Sequence, residues 1–129
     1  MKKGKIIEAR THAVFLNKIL KIDFKGFMQC TYPYDEDLII WFIRLNGKEG
    51  KYGWTNTLVS ENEIKEEYTG DLNKKIGYPK LNKRVIFNIV ESGSKREYIF
   101  LGIFKMEGSS NKRIWKMIKD ELNFPYDKF

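Results

Sequence analysis

Two long apolar segments separated by a short polar turn are the clearest pattern in the chain. Residues 84–91 and 97–106 are rich in β-branched and aromatic side chains, and residues 92–94 (Ser-Gly-Ser) separate them. This pattern predicts an antiparallel β-hairpin. Residues 38–45 are apolar at almost every position, which predicts a strand that is buried on both faces and lies at the centre of the sheet.

A short amphipathic helix is predicted before these strands. Residues 11–21 carry apolar side chains at helical spacing, Thr11 is a good N-cap, and Lys18 and Lys21 favour the C-terminal end. Pro33 removes a backbone donor and restricts the residue before it. Residues 32–37 are therefore predicted to form a loop that interrupts regular structure.

Three other segments are less clear in pattern. Residues 61–68 are short and acidic and suit either a helical turn or an edge strand, and residues 69–83, with two glycines and a proline, are typical of a long connection. Residues 113–122 suit a strand or a C-terminal helix. We favour a third antiparallel strand as far as Ile118, because the hairpin before it leaves an edge that needs covering.

Length and composition indicate one domain over residues 1–129. Hydrophobic residues make up 42% and charged residues 32%, as in ordinary globular proteins, and the longest apolar run has six residues. A membrane span needs about 20, so we expect a cytoplasmic protein that does not enter a membrane. Cys30 and His12 are the only residues of their types, which excludes an internal disulfide bond and the usual zinc ligand sets. We expect no metal ion and no cofactor.

The net charge of +7 is unevenly distributed, with +5 on residues 1–25, −4 on residues 26–70 and +6 on residues 71–129. A basic protein favours polyanionic partners. Two basic clusters occur in the C-terminal part, and five of their residues are predicted to contact phosphate groups: Lys80, Lys83, Arg84, Lys112 and Arg113. The alternative is a solvated lysine-rich surface without a ligand.

Signatures of catalysis are largely missing. The chain has no G-x-S-x-G turn and no P-loop, and His12 lies among apolar neighbours on the predicted helix, where a structural role is favoured. The one trace of a nuclease is Asp35 after Pro33, followed by Glu63 and Lys65, a loose version of a site in which two carboxylates hold a metal ion. So short a pattern arises often by chance among 17 acidic and 24 basic residues, and we expect a non-catalytic protein.

Residues 31–35 and 52–56 combine aromatic rings with small polar groups. A pocket for a flipped base needs aromatic faces for stacking and amide or carboxylate groups for the base edge. The predicted base-binding residues are rings that stack and polar groups that read the edge: Tyr32, Tyr34 and Trp54, with Asp35 and Asn56. The alternative is that Trp54 fills the end of a barrel while Asn56 and Asp35 cap turns.

The C-terminal half resembles a known superfamily. Arg-Val-Ile-Phe-Asn-Ile from residue 84, Tyr-Ile-Phe-Leu-Gly-Ile-Phe-Lys from residue 98 and Arg-Ile-Trp-Lys-Met-Ile-Lys-Asp-Glu from residue 113 are similar to the closing strands of PUA-like β-barrel domains. Residues 53–56 (Gly-Trp-Thr-Asn) resemble the same group. That superfamily includes the SRA-type readers of modified bases from prokaryotic restriction systems.

The resemblance implies both a fold and a function. The expected fold class is α+β, a small, curved, mostly antiparallel β-barrel with one or two short flanking helices. The expected function is a non-catalytic module that binds nucleic acid, DNA more than RNA, and reads a modified or flipped base in a defence or restriction context. In such proteins cleavage usually belongs to another domain.

A small inhibitor of a host nuclease, of phage or mobile-element type, is the alternative function. The chain is short and lacks catalytic residues, and its acidic centre could mimic phosphate toward a basic partner. Residues 35–37 and 61–67 would then form the working surface. The partner would be a nuclease or another defence protein.

Overall fold

The structure, a computed structural model, describes residues 1–19, 31–34, 37–45 and 53–122. Helical structure within these ranges is short. A single α-helical turn, α1, at His12–Val14 continues into a π-helical segment at Phe15–Ile19. Thr11 begins it as predicted, because its Oγ1 accepts a hydrogen bond from the backbone N–H of Val14 at 3.1 Å. Residues 20 and 21, the predicted end of this helix, lie outside the described residues.

Most of the described chain is β-structure, and its eight strands follow in sequence: β1 Ile6–Glu8, β2 Thr31–Pro33, β3 Ile39–Ile43, β4 Trp54–Ser60, β5 Glu63–Tyr68, β6 Lys83–Ser92, β7 Lys95–Gly108 and β8 Lys112–Lys119. The sheet has the order β2-β3-β6-β7-β8-β5-β4, and β1 pairs with β7 outside this path. Every pair is antiparallel except β3 with β6.

Several sequence predictions are confirmed by this order, and others are wrong. The β6–β7 hairpin and the connection over residues 69–82 are present, and β8 confirms the third strand in place of a C-terminal helix. The strand β5 lies between β8 and β4, so it is an interior strand and neither an edge strand nor a helical turn. The central strand is β7, whereas β3 lies next to the β2 edge.

The segment around Pro33 also differs from its prediction. Thr31–Pro33 forms the edge strand β2, which pairs with Ile39–Ile43, so regular structure is not interrupted at residue 32. An edge strand tolerates proline because it has a ladder on only one side. The acidic residues 35 and 36 lie outside the described residues.

The sheet is strongly curved but does not close into the predicted barrel. Its order ends in two edge strands, β2 and β4. The rings of Trp41 on β3 and Trp115 on β8 nevertheless lie only 5.6 Å apart, although β6 and β7 separate those strands. Three strand spacings of a flat sheet would hold them about 14 Å apart. The described residues therefore form a mostly β, mixed and curled open sheet. The prediction of a closed α+β barrel is corrected in these two respects.

Gly102 marks the place where β7 changes one of its neighbours. Residues before it pair with β1, and residues after it pair with β8. The residue has φ of +125°, and a Cβ there would lie 2.8 Å from the carbonyl oxygen of Lys119. Pairing irregularities follow at Ile86/Phe87 and Ile103/Phe104. Only glycine meets both requirements, so this position permits the bend of the longest strand.

The curved sheet has two buried faces. The first, here named the helix face, is covered by the helical segment and consists of Ala9, Phe15, Leu16, Tyr32, Leu38, Ile40, Phe42, Val85, Phe87, Ile89, Tyr98, Phe100, Ile103 and Leu122. The second, named the tryptophan face, consists of Trp41, Ile43, Ile64, Ile86, Phe104 and Trp115. Alternate residues of β3 belong to each face, which confirms that this strand is buried on both sides.

No helix in the described ranges has the length and apolar character that crossing a bilayer requires.

Candidate nucleic-acid interface

Trp54 and Asn56 lie next to each other on one side of the edge strand β4. In the antiparallel register, Trp54 is opposite Tyr68 and Asn56 is opposite Glu66. Opposed residues of paired strands share a face, and Glu66 is in turn opposite Arg113 on β8. Two residues predicted to bind a base therefore lie beside a buried acidic and a buried basic residue on the tryptophan side of the sheet.

The indole of Trp54 is half-buried and is held from two directions. The ring of Tyr68 meets it edge-on, with centroids 5.4 Å apart. The guanidinium carbon of Arg113 lies 4.5 Å from the indole centroid, which is cation–π geometry. The ring retains partial solvent exposure on the edge strand β4.

A buried carboxylate connects this ring to the interior. Glu66 Oε1 accepts hydrogen bonds from Trp115 Nε1 at 3.1 Å and from Arg113 Nη1 at 3.3 Å. Arg84 Nη1 lies 3.6 Å from the other carboxylate oxygen. The three charged side chains are each less than a tenth exposed, so water screens their mutual attraction only weakly.

Arg84 occupies the inner end of this arrangement. Its guanidinium carbon lies 4.5 Å from the ring centroid of Trp41 and 4.2 Å from that of Trp115, so the cation contacts both indoles. We name the series from Trp54 through Arg113 and Glu66 to Arg84 the arginine ladder. It runs from the open edge of the sheet into its interior.

Asn56 carries a buried acceptor beside the ladder. Its Oδ1 is inaccessible to solvent and has no hydrogen-bond partner within the part of the chain that the structure describes. Leaving a buried acceptor unpaired costs about 1–3 kcal/mol, so such groups are frequent where a ligand supplies the missing donor. A donor supplied by a ligand would relieve this cost.

The other predicted base-binding residues are not brought to this place. Tyr32 on β2 is 1% exposed and packs on the helix face against the rings of His12 and Phe42. Because neither face of the Tyr32 ring is accessible, a base cannot stack on it in this arrangement. Tyr34 is half-buried against the same helix face, and Asp35 lies outside the described residues.

The predicted phosphate contacts divide into two groups. Lys80 and Lys112 are exposed, and Lys83 is partly exposed at the start of β6, so their ammonium groups remain candidates. Arg84 and Arg113 are 6% and 7% exposed and face Glu66. Their burial corrects the prediction, because a phosphate cannot approach a guanidinium that is enclosed by indoles and a carboxylate. Sequence alone does not separate these two arginines from the lysines around them.

The acidic stretch is not an open anionic surface. Glu66 is buried between arginines, and Glu67 on the other side of β5 lies 3.7 Å from Lys65 Nζ and 4.0 Å from Lys112 Nζ. Two of the acidic residues that the inhibitor hypothesis requires are therefore paired with basic side chains. Within the described ranges, no group of three or more His, Cys, Asp or Glu residues could hold a metal ion, and Glu63 and Lys65 form no such cluster.

His12 has the structural surroundings that the sequence indicates. The ring stacks on Phe42 at 4.4 Å, and Nδ1 is hydrogen-bonded to the hydroxyl of Tyr98 at 2.7 Å. The pKa of His12 is lowered from 6.5 to about 4, chiefly by burial and in addition by the positive charges of Arg96 and Arg44. The histidine is thus neutral at physiological pH and belongs to the helix face, away from Trp54.

Residues that the sequence did not single out complete the candidate site. The sequence marks the segments of Glu66 and Trp115 for other reasons, the acidic run at 61–67 and the resemblance from residue 113, and no motif marks Tyr68. Strand alternation places Glu66 and Tyr68 on one side of β5, and Arg113 and Trp115 on one side of β8. Without the register between those strands, that alternation does not show which charges meet.

A family model described as "SET and RING associated domain" matches residues 5–124. Among solved structures, the chain is similar to one described as "The 5-Hydroxymethylcytosine-Specific Restriction Enzyme AbaSI", with a TM-score of 0.64 and 22% identity over 90% of this chain. The chain spans 39% of the length of that protein, and at this identity the likeness concerns the fold alone. No curated protein matches the sequence.

Proposed function

The chain belongs to the SET and RING associated domain family, and on that premise we propose that it is a non-catalytic module that binds DNA and reads a modified or flipped base in a restriction or defence context. DNA is favoured over RNA. Where cleavage follows binding, the catalytic centre would belong to another domain or to a nuclease partner.

The observation that carries this proposal is the pair formed by Trp54 and Asn56. An aromatic face and a buried amide acceptor without a partner among the described residues lie two positions apart on one strand. A flipped base needs both, one for stacking and one for its hydrogen-bonding edge. A cytosine presents the exocyclic amine N4–H₂, a donor that matches the free acceptor of Asn56.

Exposed lysines supply the second part of the proposed interface. Lys80, Lys83 and Lys112 retain solvent access and would neutralise phosphates of the DNA backbone. Lys74 and Lys75, on the same connection as Lys80, are also exposed. This division assigns affinity to lysines and base recognition to β4.

The name of the similar restriction enzyme suggests which base to test first. That protein is described as specific for 5-hydroxymethylcytosine, and this chain covers its fold over 39% of its length. Duplexes that differ only in one cytosine, unmodified, 5-methylated or 5-hydroxymethylated, are therefore the appropriate ligands. The cleavage activity in that name is not carried over to this chain.

The experiment is a fluorescence-anisotropy titration of those duplexes, with matched single strands and RNA, at two salt concentrations. We expect affinity to fall steeply with salt, by a slope of about 0.9 for each phosphate contact, and to be highest for a modified duplex. Trp54→Ala should weaken binding of the preferred duplex by about 5- to 150-fold, the effect of losing one stacking contact of 1–3 kcal/mol. Thr57→Ala, an exposed change on the other side of β4, is the matched control.

Two results would contradict the proposal at different levels. Absent or salt-independent binding to every nucleic acid would remove the DNA-binding function. Salt-dependent binding without preference among cytosines, and without an effect of Trp54→Ala, would retain a DNA-binding module and remove the base pocket. The comparisons give no support to the inhibitor alternative, and Glu66 and Glu67 of its acidic surface are paired with basic side chains.

A further inference from the structure

We propose that Arg113, although it belongs to a basic cluster, does not bind phosphate and is the positioning residue that sets base discrimination. It would do so by holding the indole of Trp54 and the backbone at Gly77 in one arrangement. This inference rests on the proposed function, since it names the residue that orients the base-stacking ring.

Each nitrogen of the Arg113 guanidinium donates a hydrogen bond to the protein. Nε donates to the carbonyl oxygen of Ser110 at 2.8 Å, Nη2 to that of Gly77 at 2.9 Å, and Nη1 to Glu66 Oε1 at 3.3 Å. Its side chain is 9% exposed, and one face of the cation lies over Trp54. Each of the three nitrogens thus donates one hydrogen bond and one face covers Trp54, so a phosphate would have to displace these buried partners to bind the guanidinium in a fork.

The partners of Arg113 are themselves immobilised on the interior side. Glu66 also accepts from the indole of Trp115 and faces Arg84, whose guanidinium contacts two tryptophan rings. A cation held by a carboxylate in a low-dielectric interior has a narrow range of positions. The indole of Trp54 therefore rests against a fixed plane.

Trp54 needs such a support because of its place in the sheet. Among the described residues, the strand β4 ends the strand order and pairs with β5 alone, so one ladder holds it. Edge strands have less backbone constraint than interior strands. The second constraint on the ring is a side chain from β8, two strands away, and that side chain is Arg113.

Arg113 also connects the ring to the basic connection. The carbonyl of Gly77 lies in the segment that carries Lys74, Lys75 and Lys80, all of them exposed. One guanidinium thus fixes both the base-stacking ring and the backbone between the proposed phosphate-binding lysines. The expected consequence is that Arg113 changes which base is preferred more than it changes the number of phosphates contacted.

The test compares Arg113→Lys, Arg113→Met and the adjacent exposed change Lys112→Met in the full chain. Arg113→Lys keeps a positive charge for Glu66 and removes the fork and the planar stack. For each variant we would measure thermal unfolding, affinity for the modified and unmodified duplexes, and the salt dependence. Tryptophan emission would be recorded in the wild-type and Trp54→Phe backgrounds, so that the signal of Trp54 is separated from those of the other two indoles.

The expected result separates neighbouring residues. Arg113→Met and Arg113→Lys should leave the salt slope unchanged and reduce the ratio of modified to unmodified affinity by about tenfold, roughly the effect of one lost contact. Arg113→Lys should alter emission only when Trp54 is present. Lys112→Met should lower the salt slope by about 0.9 and leave that ratio intact. If Arg113→Met does not fold, the affinity ratio and the emission of Arg113→Lys decide the question.

Three results would overturn the inference. A salt slope lowered by about 0.9 in Arg113→Met with an intact ratio would make Arg113 a phosphate contact. An equal loss on every duplex in Arg113→Lys would make it a purely structural residue. An unchanged Trp54 emission in that variant would show that it does not orient the ring. If the wild-type protein binds no DNA, the proposed function fails, and the emission experiment still tests whether Arg113 positions Trp54.

Discussion

The helix face of the sheet buries rings against rings, whereas the tryptophan face buries a carboxylate between two arginines. On the helix face, Phe15 stacks on Tyr98 with centroids 4.3 Å apart and meets Phe87 at 4.9 Å. On the tryptophan face, Glu66 and its arginines occupy volume that apolar side chains would otherwise fill. Buried ion pairs are often no more stabilising than well-packed apolar residues, although removing one partner of such a pair is costly.

This difference assigns stability to one face and recognition to the other. The helix face is closed by the helical segment, and among its described residues even the imidazole of His12 is kept neutral. The tryptophan face opens at β4, where Trp54 and the unpaired acceptor of Asn56 meet the arginine ladder. Changes on the helix face should therefore affect folding alone, whereas changes to the buried charges of the tryptophan face should affect both folding and binding.

The largest expected effect is the loss of a ring from the helix face. Phe87 is fully buried and contacts the rings of Phe15, Phe42 and Phe100. Phe87→Ala should lower the free energy of unfolding by about 3–5 kcal/mol through lost burial and a residual cavity. Urea denaturation measures this, with Val90→Ala, 41% exposed on the same strand, as the control. If the folded fraction of Phe87→Ala also loses its preference for one base, that result contradicts the division between the two faces.

An effect of similar size is expected from the tryptophan face, but with a second consequence. Glu66→Ala leaves Arg84 and Arg113 without their buried carboxylate, which should cost about 3–5 kcal/mol. Glu67→Ala, on the other side of the same strand with more exposed lysine partners, should cost less than about 1 kcal/mol. Chemical denaturation compares the two, and anisotropy should show a loss of base preference for Glu66→Ala alone. Equal losses of unfolding free energy for the two changes would show that the buried ion pairs of Glu66 contribute no more stability than the surface ion pairs of Glu67.

Acid should weaken the helix face through His12. The folded pKa is lowered to about 4 against 6.5 for the free side chain, so the unfolded chain takes up a proton first. The stabilisation is complete above pH 6.5 and is lost as the pH falls toward 4. Between pH 7 and pH 5 the free energy of unfolding should fall by about 2 kcal/mol, measured by urea titration at each pH. His12→Gln should remove most of this slope, and a slope that persists there would assign the acid sensitivity to other groups.

The smallest expected effect concerns the cap of the segment that covers the helix face. Thr11→Ala removes the acceptor for the backbone N–H of Val14 and should cost about 1 kcal/mol. Differential scanning calorimetry would show a lower melting temperature, whereas Thr57→Ala, exposed on β4, should leave it nearly unchanged. Base preference should remain intact in both. A shift no larger than that of the control would mean that the cap contributes little to covering the sheet.

Local patterns predicted the elements well where the pattern has one meaning. The apolar alternation of residues 84–106 around a Ser-Gly-Ser turn produced the β6–β7 hairpin, and Thr11 began a helical segment as its cap chemistry requires. The acidic residues 61–68 were ambiguous because a charged composition is compatible with both a strand and a helical turn. The partner strands β8 and β4, distant in sequence, decided that segment.

The candidate site shows the same limit. Trp54 and Asn56 could be proposed from the sequence because a ring and an amide beside a glycine turn are unusual in a local stretch. Tyr32 shared that local signal but lies in the helix face, since the side of the sheet to which a ring points depends on strand register. Arg84 and Arg113 looked like surface cations because net charge and clustering do not report burial.

By itself, the sequence determined the helical start at Thr11, the long hairpin, the strand that is buried on both faces and the basic character of the chain. These follow from short-range rules of capping, turn chemistry and side-chain alternation. Only the tertiary structure decided that the sheet stays open, that β7 is central, and that Glu66 meets Arg84 and Arg113. Such meetings depend on curvature, which brings side chains from strands three positions apart into contact.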